Sequence, residues 1–277
     1  MNPNLSKLAG YRAPVRIVLF LFTLLLCWLP IAAPIYLLVN DSNLVTILTM
    51  GLLFGFFLLS VQFWGRNVYR EPRLLKRYGF HGTRQNSLNL LKGLIIGLLF
   101  VLGLFALEGG LGLLEFQTPS QELPRIILEG FASGLGVGLA EELVFRGWLL
   151  DELERDYRPK VSLLADAVIF AVLHFIKPLS EMLRTLPQFP GLVLLGLTLV
   201  WGKRSHKNSL GISIGLHGGL VWGYYIINVG KLVQYSDQVS PWITGVDSNP
   251  IAGFMGLLLL GILAFWMRGK GLGSFKF

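Results

Sequence analysis

Apolar runs close to the ~20 residues needed to cross a bilayer recur along the whole chain. The first extends from Val15 to about Val39, with Pro30 and Pro34 in its second half, and the second from Leu44 to Trp64. Further runs cover Leu88–Leu107, about Pro124–Leu150, Val161–Phe175, roughly Phe189–Trp201, Leu210–Val229 and Ile251–Met267. The pattern predicts about eight membrane-spanning helices. The first run is too long for the apolar region of a signal peptide, and Pro34 directly follows the small pair Ala32-Ala33, so an uncleaved anchor is expected. Pro178, Pro187 and Pro190 crowd the link between the short fifth and sixth runs, which reads as a re-entrant or half-buried segment.

Charge is confined largely to the connections. Arg66, Arg70, Arg73, Lys76, Arg77 and Arg84 follow the second run; Arg155, Arg158 and Lys160 follow the fourth; Lys203, Arg204 and Lys207 follow the sixth. The alternate connections carry almost nothing positive, and one holds Glu108, Glu115 and Glu122. Basic loops stay on the cytoplasmic side, so an even number of spans with this bias places both termini in the cytoplasm. The 277 residues are 53% apolar and 14% charged, against about 25% charged in a soluble domain. That composition excludes a soluble enzyme, a disordered regulator and a secreted disulfide scaffold. A single cysteine, Cys27, leaves no internal disulfide and no cysteine-rich zinc site. The net charge of +8 follows from the basic loops, so the expected partner is the lipid bilayer and not nucleic acid. The expected fold is all-α: a polytopic membrane helix bundle forming one integral membrane domain over residues 1–277, in the plasma membrane or an internal one.

Glycine placement singles out two spans. Gly130, Gly134 and Gly138 in the fourth, and Gly211, Gly215, Gly219 and Gly223 in the seventh, recur every four residues and fall on one ridge of each helix. Such ridges let helix backbones approach closely, so these two spans are expected at the tight centre of the bundle.

Three spans also contain groups that lipid rejects: Glu141, Glu142 and Arg146 in the fourth, Asp166 and His174 in the fifth, and His217 in the seventh. A charge at the bilayer centre costs from about 2.5 to well over 10 kcal/mol, so such residues persist where they pair or line a wet cavity. Glu142 and Arg146 are four apart, with the glutamate on the N-terminal side, and stack as a favourable ion pair. Both continue the glycine ridge and should point inward. Glu141 is turned about 100° away and has no cation nearby in sequence. At ~1.5 Å per residue, Glu141, His174 and His217 lie roughly 14, 20 and 11 Å into their spans, depths that helix tilt can bring to one level. Asp166 has no motif partner and either faces the end of its span or orients a histidine.

A carboxylate with two histidines suits a water-activating hydrolase. Glu141, helped by His174, would deprotonate water for attack on a peptide carbonyl, and His217 could donate to the oxyanion. The same three residues could instead bind a zinc ion, the one cofactor these groups suggest. A proton-coupled transporter or a non-catalytic membrane partner could also use such groups. Against a transporter, no inverted repeat or paired broken helix is visible.

These residues resemble the motifs of the CPBP membrane proteases (CAAX proteases and bacteriocin-processing enzymes, also called Abi proteins). The EExxxR motif is matched by Glu141, Glu142 and Arg146, the FxxxH motif by Phe170 and His174, and a late-span histidine by His217. The resemblance covers residues 88–229. It implies a membrane-embedded endopeptidase acting on a membrane-associated protein or peptide, in which Glu141 and His174 activate water and His217 stabilises the oxyanion. The pattern also has an asparagine four residues after that histidine, where this chain has Val221.

Overall fold

A computed structural model of the chain describes residues 5–236 and 239–273. It is almost wholly helical: α1 (Ala13–Leu38), α2 (Ser42–Trp64), α3 (Leu74–Arg77), α4 (Arg84–Gly110), α5 (Leu123–Glu142), α6 (Leu150–Glu154), α7 (Pro159–Leu173), α8 (Leu179–Thr185), α9 (Phe189–Ser205), α10 (Leu210–Val229), α11 (Pro241–Thr244) and α12 (Phe254–Gly273). Among the described residues, six helical stretches are long and apolar enough to cross a membrane: Ala13–Leu38, Ser42–Tyr69, Arg84–Gly110, Leu123–Glu154, Leu179–Ser205 and Leu210–Val229. The chain is therefore an all-α, polytopic integral membrane protein. Two expected spans take other forms. The fifth is the 15-residue α7, and the eighth lies within the 20-residue α12. The proline-rich link becomes α8 and a 3-10 turn that run directly into α9. Both termini lie outside the described residues.

The chain divides into two compact units. The first comprises Met1–Arg77 and Asp151–Tyr157. Its helices α1 and α2 turn long apolar faces outward, with Phe22, Leu26, Leu29 and Ile47 exposed as lipid contact requires. Asp41 caps α2 by accepting from the Leu44 amide at 2.8 Å. Arg16 is a buried cation. Its Nε lies 2.9 Å from Glu152, whose carboxylate also accepts from the Tyr69 hydroxyl at 2.7 Å.

The second unit, Tyr78–Leu150 and Arg158–Phe277, contains the polar spans. Helix α10 is buried along most of its length. Its Gly211, Gly215 and Gly219 face α4: a methyl group at Gly215 would collide with the Leu90 carbonyl, and one at Gly219 with that of Leu94. The four-residue ridge of the seventh span thus packs on the third. Contact with α5 comes from an adjacent strip, where Gly134 and Gly138 lie against Gly218 and a methyl group at Gly138 would sit 2.7 Å from the Ile214 carbonyl. Helix α10 is therefore clamped between α4 and α5. Its start is fixed by α4, because the Asn86 side chain accepts from the Ser209 hydroxyl (2.6 Å) and the Gly211 amide (3.0 Å). This satisfies donors that an isolated helix start leaves open and sets the position of His217, two turns on. A two-stranded antiparallel sheet, β1 (Leu114–Phe116) with β2 (Val233–Tyr235), joins the loops after α4 and α10.

Candidate active site

Helix α5 ends at Glu142 and continues as a π-helical segment, Leu143–Leu149. The wider turn carries an extra residue per repeat, a feature common at functional sites. Within it Arg146 is fully buried, its NH1 3.0 Å from Glu142 Oε1. The Arg146 carbonyl accepts from Lys203 Nζ of α9 at 2.6 Å.

A second carboxylate meets the same guanidinium: Asp166 Oδ2 lies 3.5 Å from Arg146 Nε, with both side chains wholly buried. This bears on the open question of Asp166, which pairs with the arginine. Four residues along α7, the Phe170 ring lies beneath the guanidinium, 4.2 Å from its carbon to the ring centroid. The ring also packs against His174 at 4.5 Å and His217 at 6.1 Å between centroids. Cation–π attraction and ring stacking thus hold three site residues on one aromatic hub.

The histidines are oriented through their Nδ1 atoms. Helix α7 ends at Leu173, so the Phe170 carbonyl is among those left without an intrahelical donor. His174 Nδ1 lies 2.8 Å from that oxygen. A carbonyl only accepts, so Nδ1 carries a proton and Nε2 is the ring atom turned toward the site. His217 Nδ1 lies 2.9 Å from Glu142 Oε1. The two Nε2 atoms then converge on Glu141: its Oε2 is 3.9 Å from His174 Nε2 and 3.9 Å from His217 Nε2. Glu141 and His174 are about one-third exposed, whereas His217 is 6% exposed. The structure therefore brings Glu141, Glu142, Arg146, His174 and His217 into one cluster.

Beside the cluster lies a chamber of about 220 Å³, lined by His174, His217 and Phe170 and otherwise mostly by apolar side chains such as Phe100, Leu195 and Leu260. Val221 lines it as well, so no amide projects from that turn of α10. The Glu141–histidine spacings of 3.9 Å exceed the roughly 3.3 Å edge of a tetrahedral zinc site. Among the described residues no group of three or more His, Cys, Asp or Glu is arranged to hold a metal ion.

Sequence reasoning left three contributors out: Asp166 as a partner of Arg146, Phe170 as hub, and Lys203. A signal for the first two was present. Asp166, Phe170 and His174 recur at four-residue steps on α7, so a face carrying the motif histidine also carries the acid and the ring. Lys203 reads as a loop cation at the end of a span and offers no such cue.

The family model described as type II CAAX prenyl endopeptidase Rce1-like matches residues 123–223. No curated protein and no solved structure matches the chain. All three polar motifs fall inside the matched stretch, on helices of a membrane-spanning bundle, and over those residues the chain is similar to the CAAX-type membrane endopeptidases.

Proposed function

We propose that the chain is an intramembrane endopeptidase that hydrolyses a peptide bond of a membrane-associated protein or peptide, using water activated by Glu141 and His174. The observation that carries this reading is the equal 3.9 Å separation of Glu141 Oε2 from two imidazole Nε2 atoms. It is too long for direct hydrogen bonds and suits a substrate water shared among the three.

Glu141 accepts the water proton while His174 Nε2 orients the oxygen lone pair toward the scissile carbonyl carbon. As the C–O bond forms, His217 in its doubly protonated form donates from Nε2 to the oxyanion, and the Glu142 carboxylate at Nδ1 stabilises that cation. Collapse breaks the C–N bond, and Glu141 returns the proton to the leaving amine. Arg146, Asp166 and Phe170 are positioning residues that act on the reacting groups through Glu142 and the two rings. The apolar chamber suits an apolar side chain or lipid modification of the substrate. The basic residues of alternate loops put the starts of α4 and α10, and with them the expected cytoplasmic side of the site, at one face, while the chamber extends toward the other end of α10.

Glu141→Gln and His174→Ala should each lower the cleavage rate by about 10²–10⁴-fold. Membrane proteomes of cells carrying either variant should accumulate an uncut precursor absent from cells with the native chain. Variants that reach the membrane at native levels and leave that profile unchanged would remove the reading.

A further inference from the structure

A second cavity lies toward the C-terminal end of α10. It holds about 550 Å³ and is bordered by Gln117, Tyr224, Asn228, Lys231 and all three residues of β2. Its lining is more polar than that of the catalytic chamber. Tyr224 borders both spaces, and its hydroxyl donates to the Ser248 carbonyl at 3.2 Å. Ser248 lines the second cavity and its neighbour Asn249 the chamber. Tyr224 and the Ser248–Asn249 peptide thus form the partition between them.

Strand β2 has an unused edge at this cavity. Gln117 N–H donates to the Leu232 carbonyl (2.8 Å) and Ser236 N–H to that of Leu113 (3.1 Å), while Glu115 pairs with Gln234. Residues 232, 234 and 236 therefore turn their backbone groups toward β1. By the alternation of an antiparallel ladder, the N–H and C=O groups of Val233 and Tyr235 point the other way. No partner for them is present among the described residues. The Tyr235 hydroxyl is likewise buried with no hydrogen-bond partner among the described residues, as are both carboxyl oxygens of the fully buried Glu108.

We propose that this cavity receives an extended segment of the substrate polypeptide, which adds to β2 as a third strand while the scissile bond lies at Glu141, His174 and His217. The inference rests on the hydrolase reading above and extends it to a substrate-binding subsite. A strand edge offering donors and acceptors at peptide spacing is matched by another backbone, and a lipid headgroup has no such repeat. The distances agree. Along α10, Tyr224 and Asn228 lie about 10 and 16 Å from His217. An extended chain covers about 3.3 Å per residue, so residues some three to five positions from the scissile bond reach β2.

The probe is a set of fluorogenic peptides built on an S-farnesyl cysteine, with two, four or six residues extending on either side, presented to the purified full chain in nanodiscs. For one direction of extension, kcat/KM should rise about tenfold between two and six residues, as two added backbone hydrogen bonds allow. Val233→Pro removes an outward N–H and none of the β1 bonds, and it should abolish that dependence on length through KM. As a second measurement, a benzophenone placed on the six-residue extension should label residues 231–235 of the Glu141→Gln chain. Cleavage independent of length, or labelling elsewhere, would overturn the inference and leave the hydrolase standing. If no peptide is cleaved, the hydrolase reading fails for this substrate class and the crosslink alone decides: labelling at 231–235 retains a peptide site, and its absence removes it.

Discussion

One carboxylate oxygen, Glu142 Oε1, accepts from both His217 Nδ1 at 2.9 Å and Arg146 NH1 at 3.0 Å. The acid therefore belongs to two systems, an interhelical ion pair and an imidazole brace. Removing one partner from a buried pair costs about 3–5 kcal/mol, because the other charge is left without compensation. Asp166 at 3.5 Å retains part of the field on Arg146, which places the loss at the lower end of that range. Glu142→Gln should therefore lower stability by about 3 kcal/mol, read from an SDS titration in mixed micelles. The double variant Glu142→Gln/Arg146→Met should fall short of the summed single losses by more than about 1 kcal/mol. Strict additivity would show that the pair is not coupled.

Lys203 donates to the carbonyl of Arg146 inside the π-helical turn. Lys203→Met keeps most of the apolar stem and deletes the donor. A hydrogen bond from a charged group contributes about 1.5–3 kcal/mol, so unfolding should come earlier by about 2 kcal/mol. Lys203→Arg, which keeps a cationic donor, should recover more than half of that. Equal losses in the two variants would mean that shape and not donation matters at this position.

Two glycines separate packing from propensity. Gly215 meets the Leu90 carbonyl, whereas a methyl group at Gly136 meets nothing within 4 Å. Gly215→Ala should destabilise by about 1–3 kcal/mol through forced separation of α4 and α10. Gly136→Ala should be neutral or stabilising by up to about 1 kcal/mol, since alanine is the better helix former. Thermal unfolding of the two variants in one detergent checks the contrast, and a Gly215→Ala chain as stable as the native one would refute the close approach.

The donor spacing at Glu141 predicts that cleavage survives chelation. Purified chain treated with EDTA should keep its full rate on any peptide it cuts, and elemental analysis should find less than about 0.1 zinc per chain, well below the full occupancy of a tetrahedral site. Stoichiometric zinc with loss of activity on its removal would return the two histidines and Glu141 to the role of ligands.

Much of this arrangement is legible in the sequence because membrane energetics make polar residues conspicuous. Glu141, Glu142, Arg146, His174 and His217 stand out against apolar surroundings, and the i,i+4 spacing alone pairs Glu142 with Arg146. What the spacing does not encode is direction around a helix once its regularity changes. The widening after Glu142 is invisible in an apolar run, and so is the end of α7 at Leu173, which makes His174 a cap as well as a site residue. The glycine ridge of α10 was readable as a close-packing surface, but its partner was not. A four-residue repeat states that something approaches, while the identity of the neighbour is set by chain connectivity and by the Asn86–Ser209 contact. The two-stranded sheet, three residues a side, is too short for alternation to announce it.

The π-helical segment makes the site sensitive to a count as well as to chemistry. Losing one residue between Leu143 and Leu149 would let the backbone relax to the ordinary helical repeat, keeping the flanking helices in phase while re-aiming the side chains inside the turn itself. Arg146 would leave its acids and Lys203 would lose its acceptor, even though every named side chain remained in the gene. An in-frame loss of a single codon, anywhere in those seven, should thus be more damaging than most substitutions within the same stretch.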